Sequence, residues 1–228
     1  MPGNPVIGPE SSRYRGRIVA HIEHHVGPVA SVLSEYQSQY VHLDIACVPP
    51  SPDRDFHTLV TCGMSDRAMT VPEGMERAAL AELYLCLPPD WPISNEAFRD
   101  EKAYWPVRLL RSLARMPHET ESYVSVTHTI SHGAPPEPYA ENTALCAAFL
   151  NGPILLPKDF RSLELEEDAG ARINFYSVIP LHAGELEFKV REGSQELMGC
   201  FEQAGDVSEL LDPGRKSAVR KQRMRWLQ

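Results

Sequence analysis

The sequence predicts an α+β fold: a single domain with a central mixed β-sheet flanked by helices. Three observations lead there. Segments of period two and segments of helical period are interspersed, without the strict strand–helix alternation of a doubly wound sheet. No internal repeat and no long linker divides the 228 residues, a length within reach of one large domain. Apolar residues make up 43% of the chain and charged residues 23%, so a core can close without a disulfide or metal staple.

Residues 1–12, rich in Pro, Gly and Ser, are expected to form a flexible N-terminus. The domain is expected to span 13–212, with a basic tail at 213–228. Residues 14–26 read as a helix closed by Gly27-Pro28, a cap followed by a breaker. Val29 to Tyr36 reads as a second, short helix. From Tyr40 the period becomes two: Leu43, Ile45 and Cys47 alternate with His42, Asp44 and Ala46, as in a half-buried strand ending at Pro49-Pro50. Phe56–Met64 and Ala79–Leu87 are the next strands, and Pro88-Pro89 closes the second of them. Residues 95–116 read as helical, with Pro106 suited to the first turn of a new helix. There Trp105, Leu109 and Leu113 form an apolar stripe. Arg108, Arg111 and Arg115 form a basic stripe that reads as a solvated face. The alternative is a contact for an acidic surface, the protein's own included. Residues 122–131 and 144–150 read as strands around a Pro-rich loop, and Leu163–Glu166 with Arg172–Ile179 as a hairpin. Residues 183–203 read as a helix or a pair broken near Gly193-Ser194.

The net charge is −9, and it is unevenly spread. Residues 215–228 hold six basic side chains and no acid, so the preceding 214 carry 16 basic against 31 acidic, a net of −15. Such a body repels phosphate backbones, which argues against direct nucleic-acid binding. It attracts a basic partner and speeds their encounter. Five cysteines, an odd number without a C-x-x-C pair, signal neither a disulfide framework nor a zinc knuckle, and suit a reducing compartment. No apolar run reaches membrane-spanning length and no secretory signal is visible, so the expectation is a cytoplasmic protein.

Catalytic signatures are scarce. Neither G-x-x-x-x-G-K-[ST] nor G-x-G-x-x-G occurs, which leaves nucleotide-phosphate cradles unsupported, and no cofactor is expected. Gly63-Met64-Ser65-Asp66-Arg67 opens like a nucleophile elbow but lacks the second glycine that a sharp strand-to-helix turn needs. His21 and His25 stand one helical turn apart and could share zinc with a third ligand such as Asp44 or His42. A His-rich polar helix face is the simpler account. His128 and His132, on a strand, would stand about 13 Å apart, too far to chelate one ion.

A longer pattern carries more. His42-Leu43-Asp44-Ile45 precedes Thr58-Leu59-Val60-Thr61-Cys62-Gly63-Met64-Ser65-Asp66-Arg67-Ala68-Met69. Ala81-Glu82-Leu83-Tyr84-Leu85-Cys86-Leu87-Pro88 and Asp90-Trp91-Pro92 follow, then Trp105-Pro106, Thr127-His128-Thr129-Ile130, and Phe175-Tyr176-Ser177-Val178-Ile179-Pro180-Leu181. This succession resembles the suppressor-of-fused domain family, in the form carried by bacterial proteins, over about residues 17–215. The resemblance implies a protein-binding domain without known catalysis. Eukaryotic members sequester zinc-finger transcription factors, and the bacterial form includes immunity proteins that neutralise polymorphic toxins, nucleases among them. In the eukaryotic proteins an aspartate near the partner-peptide groove matches Asp66. Their C-terminal half, which closes over the peptide, has no counterpart in 228 residues. An Arg-x-Ser element of the family matches Arg215-Lys216-Ser217.

The expectation is therefore a non-enzymatic immunity protein. It would bind a cognate toxin with a basic surface through Asp44, Ser65, Asp66, Glu164, Glu166, Glu167 and Asp168. Two alternatives stand beside it: a metal-dependent hydrolase using His21 and His25, and a peptide-binding regulatory scaffold.

Overall fold

A computed structural model describes residues 12–35, 40–166, 170–205 and 207–219. The elements run α1 (Arg15–His25), β1 (Ser31–Leu33), β2 (Asp44–Val48), β3 (His57–Cys62), β4 (Leu80–Leu87), α2 (Glu101–Glu119), β5 (Thr129–Ser131), β6 (Leu145–Asn151), β7 (Ser162–Glu164), β8 (Arg172–His182), α3 (Ala183–Glu192) and α4 (Ser194–Ala204). Eight strands form one mixed sheet in the order β1-β2-β3-β4-β8-β6-β5, with β7 also paired to β8. The β4–β8 pair is parallel, from Leu80↔Ile173 to Tyr84↔Ser177, and all other pairs are antiparallel. Among the described residues no helix is long and apolar enough to cross a membrane.

The sheet is buried on both faces. Leu43, Ile45, Leu59, Leu83, Leu85 and Leu87 point to the side where α2 packs Trp105, Leu109, Leu110 and Leu113. Their alternates, Ala46, Val48, Val60 and Tyr84, meet Tyr14, Ile18 and Ile22 of α1 with Phe160 and Phe175. A third cluster seats Leu197 and Phe201 of α4 on Phe149, Ile179 and Leu181. This two-sided covering explains why β2, read as half-buried, is buried at all five positions. Strand alternation only says that two faces differ; the tertiary structure decides whether both are covered.

Several boundaries differ from expectation for identifiable reasons. Val29–Tyr36 does not form a helix: Ser31–Leu33 pairs along β2, and 36–39 lie outside the described residues. Val32 and its neighbours fit an edge strand, and the long-range pairing outweighs a weak helical pattern. Helix α2 starts at Glu101 because the Asp100 side chain accepts the Lys102 N–H and caps it. Pro106 consequently falls inside the helix. It offers no N–H to the Lys102 carbonyl, and Asn142 Nδ2 donates to that oxygen instead, at 3.2 Å. Only Thr129–Ser131 of the expected 122–131 strand pairs. The break at Gly193 (φ 105°) splits α3 from α4 as the sequence suggests.

The basic stripe of α2 is spent on the protein itself. Arg108 donates to Glu101 and to the Tyr139 carbonyl, Arg111 to the Tyr104 hydroxyl and the Leu33 carbonyl, and Arg115 pairs with Glu35. Arg111 and Arg115 fasten β1 and the residues after it to the helix, and Arg108 fastens the 139 loop.

Candidate functional site

The conspicuous motif, Gly63-Met64-Ser65-Asp66, follows the end of β3. Gly63 has φ 122°, and a Cβ there would lie 2.0 Å from the His42 carbonyl oxygen, so only glycine fits. The chain then makes a single 3₁₀ turn over Met64–Asp66. Beneath it lies Glu82 of β4, wholly buried. Its carboxylate accepts from Thr61 Oγ1 (2.6 Å), the Gly63 N–H (3.0 Å), and the Ser65 N–H (3.0 Å) and Oγ (2.7 Å). Burial pushes the Glu82 carboxyl up, against the downward pull of these four donors. The Ser65 hydroxyl is therefore committed to holding Glu82.

Asp44 and Asp66 flank the same turn and serve α1. Asp44 is 1% exposed and pairs with Arg15 at 2.7 Å and His42 Nε2 at 3.1 Å. Asp66, half-buried, accepts from Ser12 Oγ at 3.2 Å and the Tyr14 N–H at 3.4 Å. It thus caps α1 from a distant point in the chain, since no side chain of the helix's own N-terminus does so. Asp66→Ala is expected to cost about 1 kcal/mol, read as a lower denaturation midpoint with unchanged slope.

The acidic segment stands apart from this turn, although α1 touches both: Arg17 Nη2 donates to the Glu164 carbonyl at 2.8 Å. The Glu164 carboxylate accepts twice from Arg77, at 2.9 and 3.1 Å. Glu166 is exposed, and Glu167 and Asp168 lie outside the described residues. Of the residues expected to contact a partner, the fold brings Asp44, Ser65 and Asp66 together and employs each in an internal bond. Glu164 and Glu166 remain on an accessible surface.

His21 of the histidine pair on α1 is likewise occupied. His21 is stacked against Phe160 and Phe175 with centroids 5.3 and 4.8 Å away, and Nε2 donates to the Phe160 carbonyl at 3.1 Å. Burial lowers its pKa, and no group of three metal-ligating side chains occurs among the described residues. Burial also pushes the Cys62 and Cys86 thiols up and Cys47 up to about 11, the opposite of what a thiolate nucleophile requires.

The start of the basic tail is built into the fold. Beyond Tyr84↔Ser177, where β4 and β8 part, Cys86 exchanges its backbone bonds with 209–211: its N–H donates to the Glu209 carbonyl and its carbonyl accepts from Leu211. The Glu209 carboxylate accepts the N–H groups of Ile154 and Leu155 at 2.9 and 2.7 Å. Arg215, 8% exposed, then makes a two-pronged pair with Glu185 at 2.7 and 2.6 Å and donates to the Pro180 carbonyl at 2.7 Å. Glu185 also accepts from the N–H groups of His182 and Ala218. The Arg-x-Ser match therefore marks a C-terminal clasp.

One strand edge is left open. Leu150 N–H donates to the His128 carbonyl and His132 N–H to the Cys146 carbonyl. Bonded residues alternate in an antiparallel ladder, so Ile130 bonds to β6 while Thr129 and Ser131 turn their N–H and C=O groups away from it. The sheet order ends at β5, and no described strand pairs with that outer side. Beside it lies an open groove of about 510 Å3, floored by Met116, Tyr123, Val124 and Ile130 and bordered by His128, Thr129, Ser131 and Lys189. The chain enters β5 through Thr127, a β-branched residue held at φ 69°. Nearby Val126 is 43% exposed. The 122–131 segment reads as a strand, but nothing local says that only three residues pair or that they end a sheet.

The comparisons with known proteins agree with this architecture. The family model described as Suppressor of fused protein (SUFU) matches residues 39–216. No curated protein matches the chain. A crystal structure assigned as a SUFU homologue from Neisseria gonorrhoeae FA 1090 is similar with a TM-score of 0.64 at 15% identity, over 92% of this chain and 98% of that one. The Sufu–Fu complex is similar with a TM-score of 0.63 at 13% identity, over 90% and 91%. Drosophila Suppressor of Fused is similar with a TM-score of 0.58 at 14% identity, where 93% of this chain covers 54% of the other. With a family model matching well over half its length, and with that fold, this chain belongs to the suppressor of fused protein (SUFU) family.

Proposed function

We propose that the chain is a non-enzymatic, partner-binding domain that captures an extended segment of another protein by strand addition along the outer edge of β5. The observation that carries this reading is that edge: the outward N–H and C=O groups of Thr129 and Ser131, beside a groove for the alternate side chains of an incoming strand. Backbone bonds would supply affinity and the groove selectivity. The similar Sufu–Fu structure is a complex with a protein partner, which supports binding as the activity.

The partner we infer is a cognate toxin with a basic surface, which this chain, as a cytoplasmic immunity protein, neutralises by blockade and not by turnover. The net charge of −15 over the first 214 residues supports that choice, and the exposed Glu166 belongs to the surface that would meet it. Association is then expected to slow as salt is added.

Co-expression tests both parts. The adjacent gene is expressed in a host alone, with this chain, and with Thr129→Pro. Proline removes an N–H that points away from β6 and is compatible with an edge strand, so the ladder to β6 is expected to persist and the circular dichroism spectrum to match the parent. The expected result is that the neighbour kills, the parent chain restores growth and Thr129→Pro does not. Equal rescue by the proline variant would refute strand addition; a harmless neighbour, or killing regardless of this chain, would refute the toxin assignment.

A further inference from the structure

We infer that the segment captured at β5 carries an acidic side chain, and that Lys189 of α3 selects it. The inference rests on the strand-addition reading and adds the chemistry of the bound segment. In a chain of net charge −9, the residues lining the groove include no carboxylate. They include one lysine, half-buried, and one histidine, whose ring is held below its ordinary pKa by burial and then by the Lys189 charge. Lys189 therefore faces the groove as its positive charge.

The acids that could neutralise Lys189 on its own helix are committed elsewhere. Glu185, one turn before it, is buried in the two-pronged pair with Arg215. Glu192, one turn after it, is paired with Arg191 at 2.6 Å. Glu187 is two positions away, which places it across the helix from Lys189. Among the described residues Lys189 makes no ion pair with an acid of the chain. A lysine without an acid of its own, beside an open strand edge, complements a carboxylate brought by the added strand. The side chains of an added strand alternate, so that acid falls at one position among those facing the groove.

The test uses the full chain and a randomised 12-residue peptide library as probe, selected against the parent, Lys189→Glu and Thr129→Pro. The parent is expected to enrich peptides with Asp or Glu at a single position. Lys189→Glu is expected to weaken those peptides about ten-fold and to enrich Lys or Arg at the same position. Thr129→Pro is expected to capture neither set. Peptides lost on Thr129→Pro but indifferent to Lys189→Glu would overturn the acidic specificity and leave strand addition standing. Peptides that bind Thr129→Pro as well as the parent, or a library from which nothing is enriched, would overturn strand addition and the inference with it.

Discussion

Arg215→Ala is expected to lower the unfolding free energy by about 3–5 kcal/mol at pH 7, because it strands Glu185 as a charge without a partner in the core. Glu185 is 0% exposed and Arg215 8%. Burial alone would push the Glu185 carboxyl up; the guanidinium and two backbone N–H groups outweigh it and hold the carboxyl below its ordinary value. A carboxyl depressed by folding contributes stability above its unfolded pKa, and that contribution is lost as pH falls through the folded value. The parent should therefore lose this increment below about pH 4.5. In Arg215→Ala the sign reverses: the lone buried Glu185 resists ionisation and is stabilised by protonation, so the gap between variant and parent narrows on acidification. Urea unfolding at pH 7, 5 and 4 reads this directly. A constant gap would mean that the pair is not the source of the loss. Replacing both partners, as Glu185→Leu with Arg215→Met, should cost less than removing the arginine alone, since no charge is then left stranded.

Gly63→Ala is expected to be nearly as damaging, at about 3 kcal/mol, by a different route. The added methyl meets the His42 carbonyl oxygen at 2.0 Å, where the neighbour is backbone and cannot swing aside. A left-handed φ contributes about 1–2 kcal/mol of that, and the forced shift of packed backbone about 1–3. Any shift also disturbs the Gly63 and Ser65 N–H groups, which leaves the buried Glu82 with fewer donors. The midpoint of urea unfolding should fall while its slope stays constant. Gly74→Ala is the control: its Cβ meets nothing within 4 Å, so at its φ of 84°, also positive, only the conformational cost remains. Equal effects at the two glycines would show that the contact with His42 contributes nothing.

The two variants mark what was legible in the sequence. Gly63-Met64-Ser65-Asp66 was visible as a motif, and its family resemblance was sound. Its local work was not visible, because Glu82 lies 17 residues beyond Ser65 and Ser12 lies 54 before Asp66. A Ser-Asp pair after a strand reads equally as cap, turn or contact until those partners are in place. Arg215 was read with the basic tail because six basic side chains close together look solvated. Its acceptors, Glu185 and the Pro180 carbonyl, are 30 and 35 residues away. The three arginines of α2 misled in the same way: a charged stripe is solvated only if no other element covers it, and β1 with the 139 loop covers this one.

The sequence by itself determined most element positions and types, because these follow from short-range causes. A period of two or of 3.6, a capping aspartate, a Pro-Pro stop and a helix-breaking glycine all act within a few residues. It also determined the acidity of the body and the family. Only the tertiary structure decided which strands lie side by side, that both faces of β2 are covered, that Asp44 and Ser65 are turned inward, and that β5 ends the sheet. Those outcomes depend on contacts between segments tens of residues apart. A three-residue strand such as Thr129–Ser131 carries too little pattern to announce whether its second edge is paired.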